Sequence, residues 1–297
     1  LAEKGIILAG GTGSRLMPLT RVVCKQLLPL YDKPVICYPL STLISMNITD
    51  ILIISTPSDI GLFEKLFGDG ADYGLNLSYA VQAEARGIAE ALIIGEDFIG
   101  DDPVTLILGD NVLHYTDRLL FSAADRSETA RATIYAIHVK DPRPFAVVEY
   151  DTREKKVLSL EEKPEHPRSN YIAIGLYRYP PGVAALARTV EPSWRGELEI
   201  TCLNGLYLEA DRLDCVRLPR GAAWFDVGRI DTLLYAATYF QNIEQLQGLK
   251  VACLEEITYR RGLIDRQQFE KLRAGYGADS EFGLYLDSVL RLSEETV

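Results

Sequence analysis

The chain has 297 residues, of which 47% are apolar, 9% aromatic and 25% charged, which excludes disordered, collagenous and low-complexity classes. At about 100 to 200 residues per domain, it holds one large α/β domain or two smaller ones, with a core that needs no staples. Thirty-one Lys and Arg against 42 Asp and Glu leave a formal charge of -11, which argues against nucleic-acid and anionic-membrane partners but leaves room for one basic pocket.

Lys4 to Ala9 reads as a buried strand, and Ile51–Ser55, Leu77–Val81 and Val104–Leu108 continue the series. Amphipathic stretches at Val35–Met46, Pro57–Phe67 and Ile88–Phe98 separate them as helices. Unbroken apolar strands alternating with helices predict a mainly parallel sheet covered on both faces. Such a sheet binds ligands at the carboxyl ends of its strands. The middle of the chain turns strand-rich, with Ala132–Val139, Ala146–Tyr150, Lys156–Leu160 and Tyr171–Tyr179. A helix over Leu198–Glu209 and a strand over Leu213–Leu218 follow, then helices over Thr232–Leu246, Asp265–Arg273 and Ser280–Leu292. No apolar run approaches the roughly 18 residues that span a bilayer. Leu1-Ala2-Glu3-Lys4 has neither Met nor a signal-peptide pattern. Cys24, Cys37, Cys202, Cys215 and Cys253 form no C-x-x-C pair, and His114, His138 and His166 are scattered. The expectation is free thiols in a reducing cytoplasm, with no zinc site and no disulfide framework.

The strongest local signal is Leu8-Ala9-Gly10-Gly11-Thr12-Gly13-Ser14-Arg15-Leu16, directly after the first strand. Glycines let successive backbone N–H groups close around a phosphate. A Walker A loop needs a Gly-Lys-Ser/Thr ending that is absent. A dinucleotide fingerprint needs glycine where Leu16 stands, which argues against a dehydrogenase. Arg15, Arg21 and Lys25 follow closely, and in an acidic protein such a cluster beside glycines points to a polyphosphate. Asp110 and Asp226 each leave an apolar segment, a position suited to Mg2+ and equally to a helix cap. Glu161-Glu162-Lys163-Pro164 and Arg195-Gly196-Glu197-Leu198-Glu199 read either as a charged turn and a helix start or as contacts to a phosphorylated sugar.

In order, these segments resemble the glucose-1-phosphate thymidylyltransferases, within the wider sugar-nucleotidyltransferase superfamily. The likeness runs through Gly5 to Leu16, Lys25 to Pro29, Tyr31 to Pro34, Tyr38 to Leu43, Ile51 to Pro57 and Gly95 to Gly100. It continues in Leu108 to Asn111, Glu161 to Pro164, Gly196 to Thr201 and Gly248 to Glu256. The resemblance implies an α/β fold with a Rossmann-like mixed, mainly parallel sheet flanked by helices, a sugar-binding β-rich insertion and C-terminal helices. The nucleotidyltransferase domain would occupy 1–240, with a nucleotide half about 1–130 and a sugar half about 131–230, and 241–297 would form a helical appendage.

The same resemblance implies transfer of a thymidylyl group from dTTP to glucose 1-phosphate, with UTP and a deoxy or analogue sugar 1-phosphate as alternatives. A non-catalytic sensor is disfavoured because Arg15, Lys25 and both aspartates are present. Leu8, Gly10, Gly11, Thr12, Gly13 and Gln26 would hold the nucleotide, with Gln82 and Gly87 reading a pyrimidine. Arg15, Lys25, Lys163 and Arg195 would be catalytic, the first two on the nucleotide phosphates and the last two on the sugar phosphate. Asp110 and Asp226 would hold Mg2+, while Asn111, Phe145, Ala146, Glu162, Lys163, Ala173 and Trp224 would line the sugar site. A homotetramer, with no nucleic-acid or membrane partner, is the implied assembly.

Four departures stand out. Phe145-Ala146 replaces the usual Tyr-Gly, Ile174 a Thr, and Cys202 an Asp, and Tyr115-Thr116 lacks the glycine usual in that loop. The first two predict a smaller, more apolar sugar pocket. The last predicts altered control at the family's second nucleotide site, whose residues Lys250, Glu256, Arg260 and Arg220 resemble.

Overall fold

The structure is a computed structural model that describes residues 2–114, 130–193 and 195–294. The first half alternates β1 (Lys4–Leu8), a short ribbon of β2 (Pro29–Leu30) and β3 (Lys33–Pro34), α1 (Cys37–Ser45), β4 (Asp50–Ser55), α2 (Ile60–Phe67) and β5 (Asn76–Val81). Then come α3 (Glu90–Ile94), α4 (Glu96–Ile99) and β6 (Val104–Leu108). Strands β5, β4, β1 and β6 lie side by side and parallel, with Lys4 opposite both Asp50 and Val104. Their apolar runs are continuous because both faces are covered. Ile6 and Leu8 enter one core with Leu52, Ile54 and Leu106, while Ile7 enters the other with Ile51, Ile53 and Ile107.

The second half supplies β7 (Asn111–His114), β8 (Ala132–His138), β9 (Ala146–Asp151), β10 (Lys156–Glu162) and β11 (Tyr171–Tyr179). It continues with α5 (Val183–Ala187), α6 (Ile200–Glu209), β12 (Leu213–Arg217), β13 (Ala223–Asp226), α7 (Ile230–Gln247), α8 (Leu254–Arg260), α9 (Arg266–Ala274) and α10 (Glu281–Glu294). Strand β11 runs antiparallel to β6 and carries the sheet onward to β8 and β12. The β9–β10 pair branches off where Ile172 meets Val147. The sheet is thus mixed and mainly parallel, with helices packed on it, as expected.

Three details differ from the sequence reading. The helix expected over Ile88–Phe98 is two short helices broken at Gly95, which packs against Ile6 and leaves no room for a side chain. The β7–β13 ribbon was not foreseen, and it pairs Asn111 with Asp226. Helix α8 was also missed; its Leu254 and Ile257 pack into the same core as α1, so the C-terminal helices are seated on the first half of the chain. The loop departure at Tyr115 and Thr116 lies outside the described residues.

Candidate active site

The loop after β1 opens at the carboxyl edge of the parallel strands. Gly13 takes the left-handed conformation that starts a single turn over Ser14–Leu16, and Thr20 Oγ1 donates to its carbonyl at 2.8 Å. Leu16 is wholly buried, so the residue that rules out a dinucleotide fingerprint anchors the turn that presents Arg15. Gln26, 1% exposed, donates to the Gly10 carbonyl at 3.2 Å, and its Oε1 has no hydrogen-bond partner. Leu8 is a core residue whose carbonyl accepts from Gly109 N–H at 2.9 Å.

Gln82 follows β5 with its side-chain N–H groups committed to Glu90 at 2.8 Å and to the Gly87 carbonyl at 3.3 Å. Its Oε1 faces Gly10. A cavity of about 420 Å³ is lined by Gly11, Thr12, Arg21, Thr56 and Gln82. Gly87 has φ +106°, and a side chain there would stand 2.4 Å from the Leu198 carbonyl. The close approach that Gly87 permits within the protein is therefore to the Leu198 backbone, which exchanges hydrogen bonds with Arg86 and Ala89.

Two carboxylates meet beside this loop. The β7–β13 pairing sets Asp226 against Asn111, and Val227 N–H donates to the Asp110 carbonyl at 3.3 Å. Lys25 is ion-paired with Asp110. Burial pushes the Asp226 carboxyl above its ordinary range and the Asp110 charge adds to this, while Lys25 and Arg15 oppose it. Gly228 N–H donates to Asp226 at 3.1 Å, and the space where a Gly228 side chain would stand is 3.1 Å from Arg15 Nη2. A buried carboxylate, Asp110, and a half-buried one, Asp226, with cations beside them suit a hard divalent ion. Mg2+ is commonly held by one or two carboxylates with water and substrate phosphate completing its shell. Among the described residues no group of three or more acid, His or Cys ligands exists, so such an ion would need the substrate.

A second cleft, about 640 Å³, contains Arg15, Asp110 and Asp226 together with Asn111, Phe145, Ala146, Glu162, Lys163, Ala173, Arg195 and Trp224. Glu162 accepts from Thr201 Oγ1 at 2.6 Å and pairs with Lys163 at 3.0 Å. Arg195 reaches Glu199 at 2.6 Å and lies 4.0 Å from Glu162, and the Glu199 hydrogen bond raises its pKa. Phe145 meets Trp224 edge to face, with ring centres 5.4 Å apart. Ile174 does not line this cleft. It is 2% exposed and buried beside Ile107 and Leu176, because along a strand it points opposite to Ala173 and Gly175. Its replacement of a threonine is a core change, which corrects that part of the pocket reading. Glu199 entered the sequence reading only as part of the Arg195–Glu199 segment, with no role of its own, and Thr201 was given none; a helix start accounts for both residue types equally well.

Asn111, 7% exposed, ties the cleft wall together: its Oδ1 accepts from Gly175 N–H at 3.0 Å and from Trp224 Nε1–H at 2.6 Å. Asn111→Ala leaves both donors unpaired, at about 1 to 3 kcal/mol each when buried. Urea denaturation is expected to show a loss of about 2 to 4 kcal/mol, and a loss under about 0.5 kcal/mol would contradict this role.

Of the residues expected at a second nucleotide site, Lys250 is engaged by Asp32, Glu244 and Glu281, and Glu256 pairs with Arg260 at 2.6 Å. All five cysteines are free, and no helix among the described residues is long and apolar enough to cross a membrane.

A glycine loop at a parallel strand end, a carboxylate pair and an adjoining cleft lined by Glu162, Lys163 and Arg195 are the parts a nucleotidyltransferase needs. The chain belongs to the nucleotidyl transferase family, whose model matches residues 4–242. Within it, relatives 46 to 49% identical over nearly the whole chain are glucose-1-phosphate thymidylyltransferases. That of Neisseria meningitidis serogroup A is 47% identical over 291 residues, 97% of this chain and 99% of the relative. That of Mycolicibacterium smegmatis is 49% identical over 279 residues, 92% of this chain and 96% of the relative. A Bacillus anthracis crystal structure assigned the same activity, in complex with a sucrose, aligns with a TM-score of 0.74 at 38% identity, covering 80% of this chain and 95% of that one. A UDP-glucose pyrophosphorylase complexed with UDP-glucose shares the fold, with a TM-score of 0.71 at 21% identity over 82% of this chain and all of that one (100%).

Proposed function

We propose that the chain transfers a thymidylyl group from dTTP to glucose 1-phosphate, giving dTDP-glucose and pyrophosphate. The observation that carries this reading is the Asp110–Asp226 pair with Arg15 in the same cleft as Glu162, Lys163 and Arg195. A phosphate oxygen of the sugar attacks the α-phosphorus, and the bond to the β-phosphate breaks in line. The nucleophile is already anionic, so the protein's task is positioning and charge neutralisation. Backbone N–H groups of Gly10–Gly13 hold the phosphates, Arg15 and Lys25 take up charge on the leaving pyrophosphate, and Glu162 orients sugar hydroxyls. Mg2+ held by Asp110 and Asp226 would supply further charge neutralisation at the phosphates. Incubation with dTTP, glucose 1-phosphate and Mg2+ is expected to yield dTDP-glucose and pyrophosphate in equal amounts. Product that forms equally well in excess EDTA would overturn the metal assignment.

The base is read at Gln82. With both side-chain N–H groups spent internally, Oε1 remains as the acceptor, which matches the imide N–H shared by thymine and uracil. Gln82→Ala is expected to raise KM for dTTP about tenfold with kcat nearly unchanged. A preference for ATP or GTP over dTTP and UTP would overturn the assignment.

The sugar is bounded on one side by Phe145, Ala146 and Trp224, and the Trp224 N–H is already committed to Asn111. This wall offers few partners to a hydroxyl. Phe145→Tyr with Ala146→Gly is expected to raise kcat/KM for glucose 1-phosphate, relative to a deoxy analogue, by about tenfold. An unchanged ratio would remove the apolar wall as a specificity element.

The family match ends at residue 242, which supports reading 1–240 as the catalytic domain and 241–297 as an appendage. Exposed Ile230 and Leu234 on α7 offer an apolar face suited to assembly with further copies, in keeping with a homotetramer, and the free thiols are in keeping with a cytoplasmic location.

A further inference from the structure

Helix α6 begins at the edge of the sugar cleft, and its first residues, Glu199, Ile200 and Thr201, line that cleft. Glu199 occupies the N-cap, yet its side chain makes no capping hydrogen bond. At 8% exposed, its Oε1 instead accepts from Arg195 Nη2 at 2.6 Å, Arg195 Nε at 3.1 Å and Ser193 Oγ at 2.9 Å. The carboxylate is thus spent on a guanidinium and a hydroxyl, and on none of the helix's free N–H groups. Among the described residues no hydrogen bond reaches Arg195 Nη1, which leaves that edge of the fork for a ligand. Two residues on, Thr201 donates to Glu162, so the first turn of α6 braces both a cation and a carboxylate of the cleft.

We propose that Glu199 is a positioning residue for the sugar phosphate: it fixes the Arg195 fork in the orientation that receives the phosphate, and does not itself touch substrate. The inference rests on the reading of Arg195 as the sugar-phosphate contact. An arginine without such an anchor must be ordered by the substrate itself, which weakens binding. Glu197, 39% exposed at its side chain and 3.4 Å from Arg195, is a rim carboxylate and cannot serve as a comparable anchor.

The test is steady-state kinetics on Glu199→Gln, Arg195→Ala and the double variant, with each substrate varied in turn. Glu199→Gln is expected to raise KM for glucose 1-phosphate about tenfold and to leave KM for dTTP within about twofold. In the Arg195→Ala background the same change is expected to add nothing, since the two residues act as one unit. Glu199→Asp keeps the charge but withdraws the carboxylate by one methylene, and is expected to give a smaller rise; it also serves if the Gln variant fails to fold. Additive effects in the double variant, or equal rises for both substrates, mean a merely structural role and overturn the proposal. An unchanged KM in Glu199→Gln when Arg195→Ala raises it overturns the positioning role alone. An unchanged KM in Arg195→Ala overturns the phosphate reading beneath it.

Discussion

Asp110→Asn and Asp226→Asn are each expected to lower kcat about a thousandfold, the scale at which removal of one preorganised electrostatic partner acts in phosphoryl and acyl transfer. Their effects on stability should differ. Asp226 is half-buried, and its carboxyl is pushed up by desolvation and by the Asp110 charge. Neutralising it removes a repulsion, so Asp226→Asn is expected to melt at or above the wild-type temperature. Asp110 is the ion-pair partner of Lys25, and these side chains are 11% and 16% exposed. Asp110→Asn strands that ammonium and is expected to cost about 1 to 3 kcal/mol, less than for a fully buried pair. Kinetics and calorimetry on the two variants check both halves. Turnover within tenfold of wild type in both would remove the carboxylates from the mechanism.

Arg15→Ala is expected to lower kcat by about 10² to 10³, and Arg15→Lys by about tenfold, because an ammonium keeps the charge but not the planar fork. The geometry offers a second route to the same defect. A methyl on Gly228 would stand 2.9 Å from Asp226 Oδ1 and 3.1 Å from Arg15 Nη2, so Gly228→Ala shifts the carboxylate first and crowds the guanidinium with it, without changing any charge. Its kcat is expected to fall with KM for glucose 1-phosphate little changed. Wild-type kcat in both Arg15→Ala and Gly228→Ala would mean that the leaving group is stabilised elsewhere.

What was legible in the sequence follows from how burial writes itself into a chain. Strands β1, β4 and β6 are covered on both faces, so Ile6, Ile7, Leu52 and Ile53 form runs that can be read directly. Strands β7 and β13 have four residues each and mix Asn, Trp and Asp with apolar neighbours, so neither carries a period. Their pairing is what brings Asp226 to Asp110, and no local pattern contains it. Ile174 teaches the converse. The alternation of a strand already sends it away from Ala173, but the likeness to a family motif drew it into the pocket. Glu199 was hidden because a carboxylate at a helix start has an ordinary explanation, and only its hydrogen bonds to Arg195 reveal another use.

Pyrophosphate release measured with dTTP, UTP, ATP and GTP, each crossed with glucose 1-phosphate and other sugar 1-phosphates, tests the central claim most directly. The geometry of Gln82 favours a pyrimidine triphosphate, and with the thymidylyltransferase relatives and the cleft holding Glu162, Arg195 and the two aspartates it leads us to expect the highest kcat/KM with dTTP and a glucose-type sugar 1-phosphate, and none without a divalent cation. A best rate with a purine triphosphate, or no pyrophosphate from any pair, would contradict it.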